Sequence, residues 1–175
     1  DAESGDPVWE HEMPVPDGKR HYGHAGSPLV VGDVVIFNAG AGVALKRGTG
    51  EVVWEFEGLP GLATPVLFTQ QGKQCVALFL GDRLIARELS SGRELWSIPW
   101  KTDLAVNAHH PLIFDNKVLI NSDYGRGRAM FDISNSTPRE LWQFKKGSGH
   151  AFAASVLHDG LVYGMFQNGM ACLNP

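Results

Sequence analysis

One tryptophan returns four times along this chain in the same local setting. The contexts are SGDPVWEHE, TGEVVWEFE, SGRELWSIP and TPRELWQFK, around Trp9, Trp54, Trp96 and Trp142. The gaps are 45, 42 and 46 residues, an internal repeat of about 44. A unit that short buries its apolar residues against copies of itself rather than in a core of its own. The repeat therefore constrains the architecture more than any single motif does.

Each unit reads as four short strands. The first runs SPLVV (27–31), a Gly32-Asp33 turn, VVIFNA (34–39), a glycine-rich AGAG, VALK (43–46), an RGTG turn and EVVWEFE (51–57). The second runs TPVLF, QCVALFL, RLIAREL and ELWSI, with turns at QQGK, Gly81-Asp82 and SSGR. The third runs HPLIF, VLINS, AMFDI and RELWQF, with a longer DYGRGR loop. The fourth runs ASVLH, LVYGMF and MACL and reaches Pro175 before its own Trp strand. Strand and tight turn in alternation is the grammar of an antiparallel meander. The expected fold is all-β, a propeller of four-stranded antiparallel blades with four repeats present.

The expected boundaries make residues 1–175 a single propeller domain or fragment. Residues 27–57 are blade 1, 64–98 blade 2, 110–145 blade 3 and 154–175 an incomplete blade 4. Residues 1–13 supply the outer strand of a preceding or closing blade. The chain begins and ends at the same phase of the repeat, with a few residues of overlap. Two arrangements follow. Four repeats are half of an eight-bladed ring, or the N-terminal strand closes a small ring as velcro and hides a sheet edge. The four repeating tryptophans are expected to pack blade against blade. Trp100 stands outside the repeat, in a long connection.

Composition narrows the function classes. Hydrophobic residues make up 43% and charged residues 19%, which is globular. Net charge is −4 with no basic stripe, which argues against nucleic acid as a partner. The apolar runs are far shorter than the roughly 20 residues of a transmembrane helix. Cys75 and Cys172 sit in apolar strands and are expected to be buried free thiols; no CxxC or CxxCH occurs. No GxSxG elbow is present. The G-x-G in DYGRGR joins two strands rather than opening a helix, so it is no dinucleotide fingerprint.

The pattern A-L-x-x-x-[TS]-G-x-x-[VL]-W, preceded by S/T-P-[VL]-V and a G-D turn, resembles the PQQ-like β-propeller repeat. VALKRGTGEVVWEF (43–56), SSGRELW and SPLVVGDVVIF carry the likeness, and it covers nearly the whole chain. PWKTDLAVNA (99–108) is similar to a stretch of large bacterial extracytoplasmic PQQ-like proteins. The family spans quinoprotein dehydrogenases and the BamB-like scaffold lipoprotein of outer-membrane protein assembly. The resemblance thus implies a periplasmic or secreted, non-catalytic scaffold. It would bind a protein or peptide through its loop face or a blade edge, with no cofactor. Self-association of two four-blade halves is a further expectation. The alternative is a PQQ-dependent oxidoreductase with calcium, or a degenerate relative. Such an enzyme would use a vicinal disulfide, which this sequence lacks. Asp103 and Asn107 are its only nearby oxygen ligands, where calcium takes six to eight.

In a propeller, the loops joining one blade to the next share a face with the loops joining second to third strands. Five of seven histidines fall in the inter-blade loops: His21, His24, His109, His110 and His150. The candidate ligand-binding residues on this face are His24, Lys101, Asp103, Asn107, His109, His110, Arg126 and His150. Imidazoles with Asp103 could hold a transition metal, but ordinary loop histidines are the simpler reading, and no catalytic residue or metal ligand is assigned. His109 and His110, as neighbours on an extended chain, point to opposite sides.

Overall fold

The computed structural model describes residues 1–13, 23–144, 152–166 and 169–175. Among them, fifteen strands form four antiparallel sheets that follow one another along the chain. Blade 1 holds β1 (Leu29–Val31), β2 (Val34–Phe37), β3 (Val43–Lys46) and β4 (Val52–Glu55). Blade 2 holds β5 (Val66–Gln70), β6 (Lys73–Phe79), β7 (Arg83–Glu88) and β8 (Glu94–Pro99). Blade 3 holds β9 (Leu112–Phe114), β10 (Lys117–Asn121), β11 (Arg128–Asp132) and β12 (Arg139–Phe144). Blade 4 has three strands, β13 (Val156–His158), β14 (Leu161–Phe166) and β15 (Gly169–Leu173). Every sheet is a simple meander, as the repeat predicts.

Turn chemistry sets the hairpins. Gln71-Gly72, Asp115-Asn116 and Asp159-Gly160 each place both central residues at positive φ. That is the primed two-residue turn whose twist matches paired strands. The third and fourth strands carry a register shift at one repeated place. It lies between Ala44 and Leu45, Ala86 and Arg87, and Met130 and Phe131. The residue before each shift faces the repeating tryptophan: Ala44 opposite Trp54, Ala86 opposite Trp96, Met130 opposite Trp142.

The core sits between blades, not within them. Ile36, Ala44 and Trp54 of blade 1 pack on Val76, Leu78 and Ile85 of blade 2. Ala77, Ala86 and Trp96 of blade 2 pack on Val118, Ile120 and Ala129 of blade 3. Leu119, Met130 and Trp142 of blade 3 meet Val162, Leu157 and Leu173 of blade 4. Trp9 and Met13 cover Val43 and Leu45 on the free side of blade 1. Blades 2 and 3 thus offer both faces to neighbouring blades, which is why their central strands read as near-continuous apolar runs.

Two expectations are corrected. The small closed ring is not formed: the row is open. Residues 6–13 lie against blade 1 and pair with no strand, and β15 has only β14 beside it among the described residues. Cys172 is exposed rather than buried, because no strand covers that edge; Cys75, in a central strand, is buried as expected.

Candidate functional site

The loop face is one hydrogen-bonded surface. The Leu62 amide donates to the Asn107 carbonyl at 3.0 Å, and the Gly81 amide to Leu59 at 2.9 Å. The Trp100 amide donates to Asp82 at 2.8 Å, and Asp103 to Tyr124 at 3.0 Å. Inter-blade loops and second-to-third strand loops therefore share a face. Two buried asparagines tie it to the strands beneath. Asn38 Nδ2 donates to the carbonyls of Ala63 and Phe79, at 2.9 and 3.0 Å. Asn107 Nδ2 donates to those of Leu80 and Trp100, at 2.7 and 3.1 Å. Each satisfies loop backbone that a dry interior would otherwise leave unpaired.

Trp100 anchors the long connection. It is fully buried, and its Nε1 donates to Ser122 Oγ at 2.8 Å. Arg126 lies across its ring, with the guanidinium carbon 4.5 Å from the centroid. Arg126 Nη2 also reaches the Pro99 carbonyl at 3.4 Å. In the structure Arg126 therefore staples the DYGRGR hairpin tip to the connection.

The other candidates are spread over this face. Lys101 and Asp103 are exposed, and Asp103 lies beside the hairpin backbone, where a side chain at Gly125 would come within 2.7 Å of its Oδ2. Asn107 is fully buried. His109 is buried with Nδ1 2.8 Å from the His110 carbonyl, and His110 is half-buried, with ring centroids 5.8 Å apart. His24 is exposed. His150, like His21, lies outside the described residues. Among the described residues, no three of His, Cys, Asp and Glu stand close enough to hold a metal. For calcium, whose ligands are oxygens, Asp103 and Asn107 share a loop: Asp103 is exposed and Asn107 is fully buried.

The seams between blades hold the repeating tryptophans, as the repeat predicts, together with hydrogen bonds that the sequence does not show. Trp9 Nε1 donates to the Arg47 carbonyl at 2.8 Å, and Trp54 Nε1 to Leu89 at 2.9 Å. These acceptors follow the third strand of the next blade in each case. Trp9 lies on Gly50, and Trp54 on Gly92, four residues before the next tryptophan. A Cβ at Gly50 would stand 2.8 Å from the Trp9 ring, and one at Gly92 2.6 Å from Trp54 Cγ. Blade 3 has Pro138 at that position. There Trp96 Nε1 donates instead to Gln70 Oε1 at 2.8 Å, and Gln70 Nε2 passes the bond on to the Ile133 carbonyl. Arg87 is buried, donating to Ala41 at 3.1 Å and Gly92 at 2.8 Å, with its guanidinium 3.9 Å over Phe56. Burial lowers the pKa of this guanidinium.

The row ends in an open edge. Met170 is 81% exposed, Val156 59% and Tyr163 39%, whereas Ala86 and Ile85 of blade 2 are fully buried. These side chains and Cys172 stand where a fourth strand and a following blade would cover them.

The family described as outer membrane protein assembly factor BamB matches the chain over residues 1–57 and 42–174. Among solved structures, BamB from Moraxella catarrhalis is similar with a TM-score of 0.58 at 18% identity, over 86% of this chain and 46% of that one. This chain thus spans about half the length of that protein. The computationally designed Ika4 protein is similar with a TM-score of 0.57 at 14% identity, over 94% of this chain and 92% of its own. A europium-containing methanol dehydrogenase has a TM-score of 0.49 at 20% identity, over 70% and 24%. At these identities the likeness to BamB and to the Ika4 protein is one of fold. No curated protein sequence matches the chain. No helix among the described residues is long and apolar enough to cross a membrane.

Proposed function

This chain belongs to the family of the outer membrane protein assembly factor BamB, and on that premise we propose that it is a non-catalytic, extracytoplasmic scaffold. It binds a protein or peptide partner through its loop face or a blade edge. The observation that supports this reading is the loop face, where inter-blade loops and second-to-third strand loops are hydrogen-bonded into one surface held by Trp100, Arg126 and Asn107. Strand addition at a blade edge would add backbone bonds for affinity and alternate side chains for choice of partner.

The test is deuterium uptake over the whole chain while an extended peptide of sequence EVVWEFE is added. Protection of the loops at 99–111 and 122–128, or of a strand edge, supports the reading. Uptake unchanged throughout sinks it. For the quinoprotein alternative, adding PQQ with calcium and an alcohol is expected to leave the cofactor spectrum and a redox dye unchanged.

A further inference from the structure

We propose that the seam between blades 2 and 3 holds a binding site for a small carboxylate, a planar anion on a short apolar stem, taken by Lys73 and Arg93 beside the Trp96 indole. The site lies among the first-to-second and third-to-fourth strand turns, on the face opposite the inter-blade loops. It stands apart from the partner surface proposed above.

The site exists because the repeat is broken here. In two seams the indole bonds directly to the following blade, Trp9 to the Arg47 carbonyl and Trp54 to that of Leu89. Ile133 is the equivalent residue of blade 3. Arg47, Leu89 and Ile133 each stand three residues after the tryptophan's partner. Each also donates its amide to the first-to-second hairpin, at the carbonyls of Asp33, Gln74 and Asn116. The Trp96 indole does not bond to Ile133. Gln70 stands between them, accepting from Trp96 Nε1 at 2.8 Å and donating to the Ile133 carbonyl. The turn beyond is longer too: residues 134–138 are five, where blades 1 and 2 have three, at 48–50 and 90–92. Pro138 replaces the glycine that would lie on the indole. With an amide inserted and the turn drawn out, a cavity of about 190 Å³ opens against Trp96, Gln70 and Ser136.

The lining selects for an anion. Its charged groups are Lys73 and Arg93, both cations, and no carboxylate lines it. Glu88 joins the two from outside the cavity, 3.0 Å from Lys73 Nζ and 3.5 Å from Arg93 Nε. One carboxylate between two cations leaves a positive charge to be met. Both cations are exposed, so a ligand reaches them without opening the seam. Gln70 is buried, and its amide nitrogen carries two N–H donors, of which the Ile133 carbonyl takes one. Leu95 and the indole supply the apolar part of the wall. A guanidinium fork matches a planar carboxylate, and such charge-assisted hydrogen bonds are the strong ones. The space is smaller than the roughly 300–1,000 Å³ of a drug-sized pocket, so it suits one short acid rather than a cofactor.

The test is nuclear magnetic resonance of the nitrogen-labelled 175-residue chain. The Trp96 Nε1–H signal is the readout, assigned by its loss in Trp96→Phe. Butyrate is the probe. Butyramide is the neutral control of the same shape, and inorganic phosphate at matched ionic strength is the tetrahedral anion. Butyrate is expected to shift the Trp96 signal saturably, with a midpoint on the order of 1–10 mM, while the Trp9 and Trp54 signals stay fixed. Lys73→Gln and Arg93→Gln should each weaken binding about tenfold, as the loss of one charge-assisted hydrogen bond implies. Deleting Asn135 and Ser136 together with Pro138→Gly restores the three-residue turn of the other blades and is expected to abolish the shift. If that shortened turn fails to fold, the two single variants decide, since both side chains are exposed. Four results overturn the proposal: no saturable shift, butyramide bound as well as butyrate, phosphate bound more tightly, or unchanged affinity in both Lys73→Gln and Arg93→Gln. None of them bears on the EVVWEFE peptide, whose protection of the loop face is read separately.

Discussion

Gly50 and Gly92 show how one residue can belong to two blades. Each sits in a left-handed turn, with φ of +72° and +68°, and each carries the indole of the preceding blade where a side chain would stand. Gly92→Ala is expected to cost about 2–4 kcal/mol, combining left-handed strain with an overpacked seam. Gly72→Ala, at φ +75° but in open space, should cost only about 1–2 kcal/mol. Denaturant midpoints of the two variants decide whether the ring contact adds to the backbone term. Gln70→Leu should cost about 2–4 kcal/mol, because it strands both Trp96 Nε1 and the Ile133 carbonyl in a dry seam. Gln71→Leu, exposed next door, should cost about 0.5 kcal/mol or less. The same denaturation curves test this pair. The two glycines were visible in the sequence as part of the repeat. Gln70 was not: the sequence displayed Pro138 in place of a glycine but not the amide that compensates for it from another blade.

Strands and connections add a second layer. The Glu88 carboxyl is held below its ordinary value of 4.5 by hydrogen bonds from Lys73 and Ser91. Asp132 is held below 3.8 by hydrogen bonds from Ser134, and then by Arg139. Both favour the ionised, folded state. Their contribution is fully present above about pH 5 and is lost as pH falls through the lowered folded values. An acid-unfolding curve should therefore steepen below pH 4.5, and Glu88→Gln should flatten it; an unchanged curve would remove these carboxylates from the account. The connection 99–111 hangs on one buried ring, so Trp100→Ala is expected to cost about 3–5 kcal/mol in a denaturant titration. Sequence reasoning placed this loop on the correct face, because loop position follows from strand order alone. Arg126 stands among its ligand candidates, and the structure lays that guanidinium over Trp100. A charge in a loop looks the same in sequence whether it greets a ligand or an indole.

At the scale of the molecule, stability should fall from the middle of the row outward. β6 and β7 are buried on both sides, whereas β15 is half-open. Amide exchange is expected to be slowest in Lys73–Phe79 and Arg83–Glu88 and fastest in Gly169–Leu173. Uniform protection along the row would overturn this gradient. The repeat made the blades legible down to their turns, since period and turn chemistry are local. The openness of the row was not legible: two arrangements share one phase, and only packing separates them. One consequence lies in the direction of the tryptophans. Every indole from Trp9 to Trp96 leans toward the blade that follows it, so the row has a head and a tail that differ in kind. The seams are therefore not interchangeable in direction: blades 1 and 2 each offer an indole on one face and a glycine turn on the other. Exchanging two blades would keep the seams only if each still sent its indole onto the turn of the blade that follows.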